Sequence, residues 1–193
     1  KLHTELKGWC IMTKLRIKNR SGKIIDAFFK ELDLSYLDKI MELQEEIYKG
    51  LEDKQLFAKT DREEFIKSFE RGKVIGCLDE EDNLIAMGVY LKKGYDKENY
   101  AYDLALEGEI LLKTAQIETT VVKEEYRGNR LQRIICERIE EIAREDGMEL
   151  LAATVSPYNK YSLNTFLNSG YKIKKDKLKY GGLRRYILSK ELR

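Results

Sequence analysis

The residues best placed to do chemistry lie in one short turn, Tyr126-Arg127-Gly128-Asn129-Arg130-Leu131-Gln132. Ahead of it, Ile117 to Val122 is mostly β-branched and reads as a strand. Behind it, Leu131, Ile134, Ile135, Ile139, Ile142 and Ala143 recur at helical spacing. A strand that turns into a helix gathers the helix's unpaired N–H groups and the positive end of its dipole at one spot. That spot favours an anion, and Arg127 and Arg130 stand beside it. An ordinary turn with solvated arginines would be spelled much the same way, since a single glycine is a weak fingerprint.

The elements that must hold this turn follow from pattern. Strict alternation puts Glu118, Thr120 and Val122 on one strand face and Ile117, Thr119 and Val121 on the other, within a strand predicted over 109–122. The helix stops at Asp146-Gly147, and the apolar run Leu150 to Val155 predicts a strand buried on both faces of a parallel sheet. Strand, helix and strand make a right-handed βαβ unit. Asn159 is positioned to cap a further helix that buries Leu163, Phe166 and Leu167 and ends at Gly170. Two strands follow, 171–179 and 183–189, around Gly181-Gly182.

Upstream, 11–18 and 24–32 predict a hairpin around Asn19-Arg20-Ser21-Gly22. A helix with the stripe Leu37, Ile40, Met41, Ile47 and Tyr48 is given a Ser35/Asp38 capping box and a stop at Gly50. A second helix starts at Thr60 with Glu63 as its box partner and buries Phe65, Ile66 and Phe69. The loop between them carries Glu52 and Asp53. Short strands at 73–78 and 84–91 flank an acidic turn, and 92–108, with Tyr95, Tyr100 and Tyr102, shows no clear period.

Composition excludes several classes. The 193 residues, 42% hydrophobic and 36% charged, suit a single domain over 1–193. No run nears the roughly 18 apolar residues of a membrane span, and no signal-peptide core precedes the fold. A cytoplasmic protein is expected. Cys10, Cys77 and Cys136 form no paired motif, and the one histidine is His3, so neither disulfides, a metal site nor histidine catalysis is expected. Nine basic residues between Lys172 and Arg193 read as a solvated strand face, as a rim for phosphates, or as a nucleic-acid surface. The last is disfavoured, because these residues lack interleaved aromatics.

The segment Val122-Lys-Glu-Glu-Tyr-Arg-Gly-Asn-Arg-Leu-Gln resembles the acyl-CoA-binding motif V-x-P-x-Y-R-G-x-G-L-G/A of the GNAT N-acetyltransferase superfamily. Val122, Tyr126, Arg127, Gly128 and Leu131 match. Glu124, Arg130 and Gln132 replace a proline, a glycine and a small residue. Asn159, Ser162, Gly170 and Tyr171 match a second motif, N-x-x-A/S-x-x-x-Y-x-x-x-G-F/Y, in the family's order. The resemblance covers about residues 24 to 189. It implies an α/β (α+β) fold: a mixed, mostly antiparallel sheet with a parallel βαβ acyl-CoA-binding unit and about four flanking helices. Residues 1–23 become an N-terminal extension, whose edge could pair with a second copy in a homodimer.

The same resemblance implies acetyl-CoA as donor, held by N–H groups of about Arg127 to Gln132 (Arg127, Gly128, Asn129, Arg130, Leu131 and Gln132), by strand-like pairing at Val121 and Val122, and by Asn159. A small-molecule or protein amine attacks directly in a ternary complex. Glu118 becomes the base, its pKa raised in a partly buried cleft. Where the family often carries a proton-donating tyrosine this chain has Phe166, so Tyr161 or Tyr158 is the candidate substitute; packing is the plainer expectation for each, and a thiolate can leave without an acid. In the family the 51–59 loop often shapes the acceptor site, so Glu52 and Asp53 could hold a cationic amine; a solvated loop is the plainer expectation. Two other readings stay open: a non-catalytic acyl-CoA-binding regulator, motivated by Arg130, Gln132 and Phe166, and a nucleic-acid-binding module.

Overall fold

The computed structural model describes residues 13–192. The strand start at 11–12, His3 and Cys10 lie outside the described residues. The chain runs β1 (Thr13–Lys18), β2 (Ile24–Leu32), α1 (Leu37–Gly50), α2 (Arg62–Arg71), β3 (Gly72–Leu78), β4 (Leu84–Leu91), α3 (Tyr100–Asp103) and β5 (Thr114–Val122). It continues with α4 (Leu131–Glu145), β6 (Leu150–Val155), α5 (Lys160–Asn168), β7 (Lys172–Lys179) and β8 (Leu183–Glu191). The strands form one eight-stranded sheet in the order β1-β2-β3-β4-β5-β6-β8-β7. Every neighbouring pair is antiparallel except β5 and β6, which are parallel across the α4 crossover. The mixed, mostly antiparallel sheet with one βαβ unit is therefore present.

Apolar side chains of the central strands alternate, so the sheet carries a core on each face. On one face Leu37, Ile40 and Leu43 of α1 and Phe65 of α2 meet Val74, Met87, Val89 and Val121. On the other, Leu131, Ile135, Ile139 and Ile142 of α4 and Phe166 of α5 meet Ile75, Ile85, Ile117 and Leu151. Helix α4 lies very close to β4: a Cβ on Gly88 would come within 2.3 Å of Ile135 Cγ2. Only glycine allows that approach.

Several local expectations shift. The Ser35/Asp38 box does not form; Asp33 caps a 3-10 turn at Leu34–Tyr36 through the Ser35 N–H, and that turn runs straight into α1. Asp61, not Thr60, caps α2 through the Glu64 N–H, because an aspartate directly before the apolar stripe outcompetes the threonine box. Leu167 is 39% exposed and does not join Phe166 in the core. The strand predicted over 109–122 begins only at Thr114, since Gly108–Lys113 winds into a 3-10 helix. Tyr100 opens the one-turn helix α3, with Asn99 as its cap.

Candidate active site

Two irregularities of β5 make the site. First, β5 carries a bulge: Gly88 opposes Thr120 and Tyr90 opposes Ile117, so Glu118 and Thr119 together face Val89. The bulge corrects the alternation read from sequence. Thr120 and Val122 lie on the α4 face with Ile117, where Thr120 accepts a hydrogen bond from Gln132 Nε2 at 2.9 Å. Glu118 lies on the opposite face with Gln116 and Thr119. Second, the parallel pairing ends at Ile117 opposite Ala153, although β5 runs on to Val122 and β6 to Val155. The strands part there and leave one edge of β5 open.

The gap opens a cleft of about 1590 Å³. Single small-ligand sites occupy roughly 300–1,000 Å³, so this one has room for two molecules. Glu118, Val121, Val122, Arg127, Gly128, Arg130, Leu131, Gln132, Asn159 and Tyr161, all singled out from sequence, line it. The Lys123 N–H donates to Ile85 O in β4. In an antiparallel ladder the preceding residue then points its N–H and C=O the other way, so Val122 presents its backbone to the open edge.

The turn after β5 has the local form read from sequence, a strand turning into an uncapped helix, with one difference. The Arg127 N–H is already bonded to Glu124 O at 3.2 Å, in a 3-10 turn over Glu124–Tyr126. The N–H groups of Gly128 to Arg133 have no backbone acceptor among the described residues, and no side chain caps α4. Gly128 has φ +91° and open space where a Cβ would stand. Arg130 has φ 60°, the left-handed conformation that the family's glycine would adopt freely.

Asn129 does not line the cleft, because its side chain faces away from it. Its Oδ1 accepts from the Lys18 N–H at 3.0 Å, and its Nδ2 donates to Lys18 O at 2.7 Å and Tyr126 O at 2.9 Å. The β1–β2 hairpin is thereby clamped onto the turn, with Arg20 N bonded to Glu125 O at 2.7 Å. The clamp brings Lys18 and Arg20 to the rim of the cleft. Gln132, another departure from the motif, also donates to Ser162 Oγ at 2.8 Å and ties α4 to α5.

Around Glu118 the structure assembles residues that sequence did not single out as site residues. Gln116 accepts from the Tyr100 N–H at 3.0 Å and donates to the Glu118 carboxylate. The hydroxyls of Tyr100 and Tyr180 are 2.6 Å apart, and Tyr180 lies 2.9 Å from Thr154 Oγ1. Burial holds the Glu118 carboxyl above the usual carboxylate range, against the opposing pull of Gln116 and Lys93. Burial likewise pushes the Tyr180 phenol up to about 12. Tyr180 could have been flagged from sequence only as a residue of the Gly181-Gly182 turn, and Tyr100 only as one of an unassigned tyrosine cluster.

The remaining candidates are placed as follows. Tyr161 is 90% exposed on the first turn of α5 and shares no hydrogen bond with the Glu118 network among the described residues. Asn159 caps α5 by accepting from the Ser162 N–H. Phe166 is core, edge-on to Tyr171 at 5.0 Å. Asp53 caps a 3-10 turn at Lys54–Leu56, and neither it nor Glu52 lines the cleft.

A sequence model of the acetyltransferase (GNAT) family matches residues 37–171, and no curated protein sequence matches the chain. Among solved structures, YncA from Salmonella typhimurium, determined with its cofactor acetyl-CoA, has 14% identity and a TM-score of 0.65, covering 86% of this chain and 94% of that one. The GNAT domain of PAT from S. lividans has 16% identity and a TM-score of 0.64, over 92% and 96%. An N-acetyltransferase from Staphylococcus aureus has 15% identity and a TM-score of 0.63, over 86% and 99%. At such identities the structures establish the fold, while the family match takes in well over half of the chain. The protein belongs to the GNAT acetyltransferase family.

Proposed function

We propose that the protein is an acetyl-CoA-dependent N-acetyltransferase that acts on a primary amine by direct transfer, with both substrates bound together. The observation that carries this is the parting of β5 from β6 after Ile117, directly in front of the uncapped start of α4. Acetyl-CoA, the acyl donor of this family, supplies a thioester-bound acetyl group when bound. Its diphosphate suits the N–H groups of Gly128 to Arg133 with Arg127 and Arg130 beside them, and nothing stands within 4 Å of a Cβ position on Gly128 to obstruct it. The open edge at Val122 suits a strand-like ligand, and its N–H is available to polarise a carbonyl. Asn159, at the start of α5, closes the same wall.

Glu118 takes a proton from the acceptor's ammonium, and the free amine attacks the thioester carbonyl. The raised pKa of Glu118 brings it nearer to the operating pH of a general base without making it a weak acceptor. Tyr161, whose phenol stands free on the rim, offers a proton to the departing sulfur. Tyr161→Phe then lowers kcat and leaves cofactor affinity in place; an unchanged kcat assigns that proton to water.

Calorimetric titration with acetyl-CoA and CoA, repeated with Arg127→Ala and Gly128→Glu, tests the cofactor site. Binding that both changes weaken supports it. Wild-type protein that binds neither compound would remove the reading. Tight binding with no turnover of any amine would favour the non-catalytic regulator.

A further inference from the structure

Among the described cationic residues that line the cleft outside the cofactor turn, one is buried. Arg185 lies on β8 and is 4% exposed, yet it lines the cleft. Alternation along β8 sends Tyr186 and Leu188 to the α4 face, so Arg185 and Ile187 face the other way, the side on which Glu118 stands. Thr154 of β6 is opposite Ile187 and sits between them. The Arg185 Nη1 donates to Arg184 O at 2.8 Å, and the guanidinium lies 5.9 Å from the Tyr180 ring.

Among the described residues no carboxylate lies within ion-pair distance of Arg185, whereas its basic neighbours are all engaged. Lys177 and Lys179 share Asp103, and Arg184 is paired with Asp176. A guanidinium has five N–H donors in a planar fork, so most of those of Arg185 are left for the cleft. A buried cation without a counter-ion is costly to keep, and a fork of this shape suits a carboxylate. Between Arg185 and Glu118 the floor is neutral: the hydroxyls of Tyr100, Tyr180 and Thr154, already satisfied by one another.

We propose that Arg185 receives a carboxylate carried by the acceptor, so that the acceptor is a primary amine of amino-acid type, its ammonium at Glu118 and its carboxylate at Arg185. This rests on the transferase reading above and narrows it. A negative group at one end and a positive one at the other complement a zwitterion, whereas a plain alkylamine leaves Arg185 uncompensated. Because β6 lies between β5 and β8, those strands stand about 10 Å apart, and Arg185 lies two residues along β8 from Ile187, the partner of Thr154, so the backbone separation is greater than that. The preferred number of carbons between amine and carboxylate reports how much of that span the two side chains close.

The test measures thiol release from acetyl-CoA with matched amines. α-Amino acids and ω-amino acids of increasing length are each compared with their carboxamides and with the simple alkylamine. The expected result is a kcat/KM for the acids roughly 10–100-fold above that for the amides, the gain from one charge-assisted pair. In Arg185→Gln that ratio falls to near one with the KM for acetyl-CoA retained, and Arg185→Lys restores part of it. Wild-type protein that turns over acids and amides equally overturns the assignment, and this comparison needs no variant to fold. So does an Arg185→Gln protein that keeps the ratio and loses CoA binding. Acetylation of alkylamines without preference for a carboxylate sinks the acceptor assignment alone. CoA binding with no amine acetylated sinks the transferase reading and this inference with it.

Discussion

At the scale of the residue, Glu118 is held in a state that suits a base and opposes folding. Its folded pKa is raised above the ordinary 4.5, first by burial. A group raised in this way favours folding below its unfolded pKa, and that contribution is lost as pH rises through the folded value. Glu118→Gln should therefore match the wild-type melting temperature in acid and exceed it at pH 8, where its amide oxygen can still accept from Gln116. The same change should lower kcat/KM by about 10²–10⁴ and remove the acidic limb of the pH profile, a limb lying above the usual carboxylate range. A variant that loses stability at pH 8, or keeps that limb, would show Glu118 to be structural. Arg130 makes the converse trade. A non-glycine residue in the left-handed region costs about 1–2 kcal/mol, so Arg130→Gly should unfold at higher urea. If its charge serves the phosphates, CoA affinity should fall at low ionic strength, and the difference should shrink in salt.

At the scale of the element, the turn that would bind the diphosphate depends on a hairpin outside the matched 37–171 segment. Asn129 spends all three of its side-chain bonds on Lys18 and Tyr126. Asn129→Ala should cost about 0.5–1.5 kcal/mol, the net worth of a hydrogen bond whose Lys18 partner groups are exposed to water. Chemical denaturation measures this, and CoA affinity should fall with it although Asn129 does not line the cleft. Affinity unchanged in a destabilised variant would mean that the turn holds its shape without the hairpin. The open edge of β5 makes a second prediction. Amide exchange at Val122 should be fast in the free protein and slow with acetyl-CoA bound, while Lys123, already bonded to Ile85, should change little.

At the scale of the whole molecule, the parted sheet is a packing compromise. Strands β5 and β6 are held together by pairing from Thr114–Leu150 to Ile117–Ala153 and spread beyond it, so a ligand that fills the gap completes the structure. Acetyl-CoA at about 100 times its Kd should add about 2.7 kcal/mol, which is roughly 5–10 °C in melting temperature for a chain of this size. Differential scanning fluorimetry with acetyl-CoA, and with Gly128→Glu as a control, checks this. A ligand-independent melting temperature in the wild type would mean that the gap is not a binding site.

Local pattern determined much of this. Period-2 and period-3.6 hydrophobicity placed β2, α4, β6 and α5 to within a residue or so, because each must bury one face, or both, whatever its neighbours. The turn with Gly128 and Arg130, and the Asn159 cap, were legible because cap and turn residues act on their own backbone. The bulge was not. Alternation assumes an even pleat, and an extra residue at Glu118–Thr119 opposite Val89 is set by how β5 pairs with β4. Nor was the partnership of Gln116, Tyr100, Tyr180, Thr154 and Arg185 around Glu118, since these residues come from β5, α3, the β7–β8 turn, β6 and β8. Sequence determined most of the strands and helices, though not α3 or the 3-10 start before β5, and the place where a turn offers its N–H groups. Which face Glu118 occupies, and which groups meet it there, was decided only when distant strands came into register.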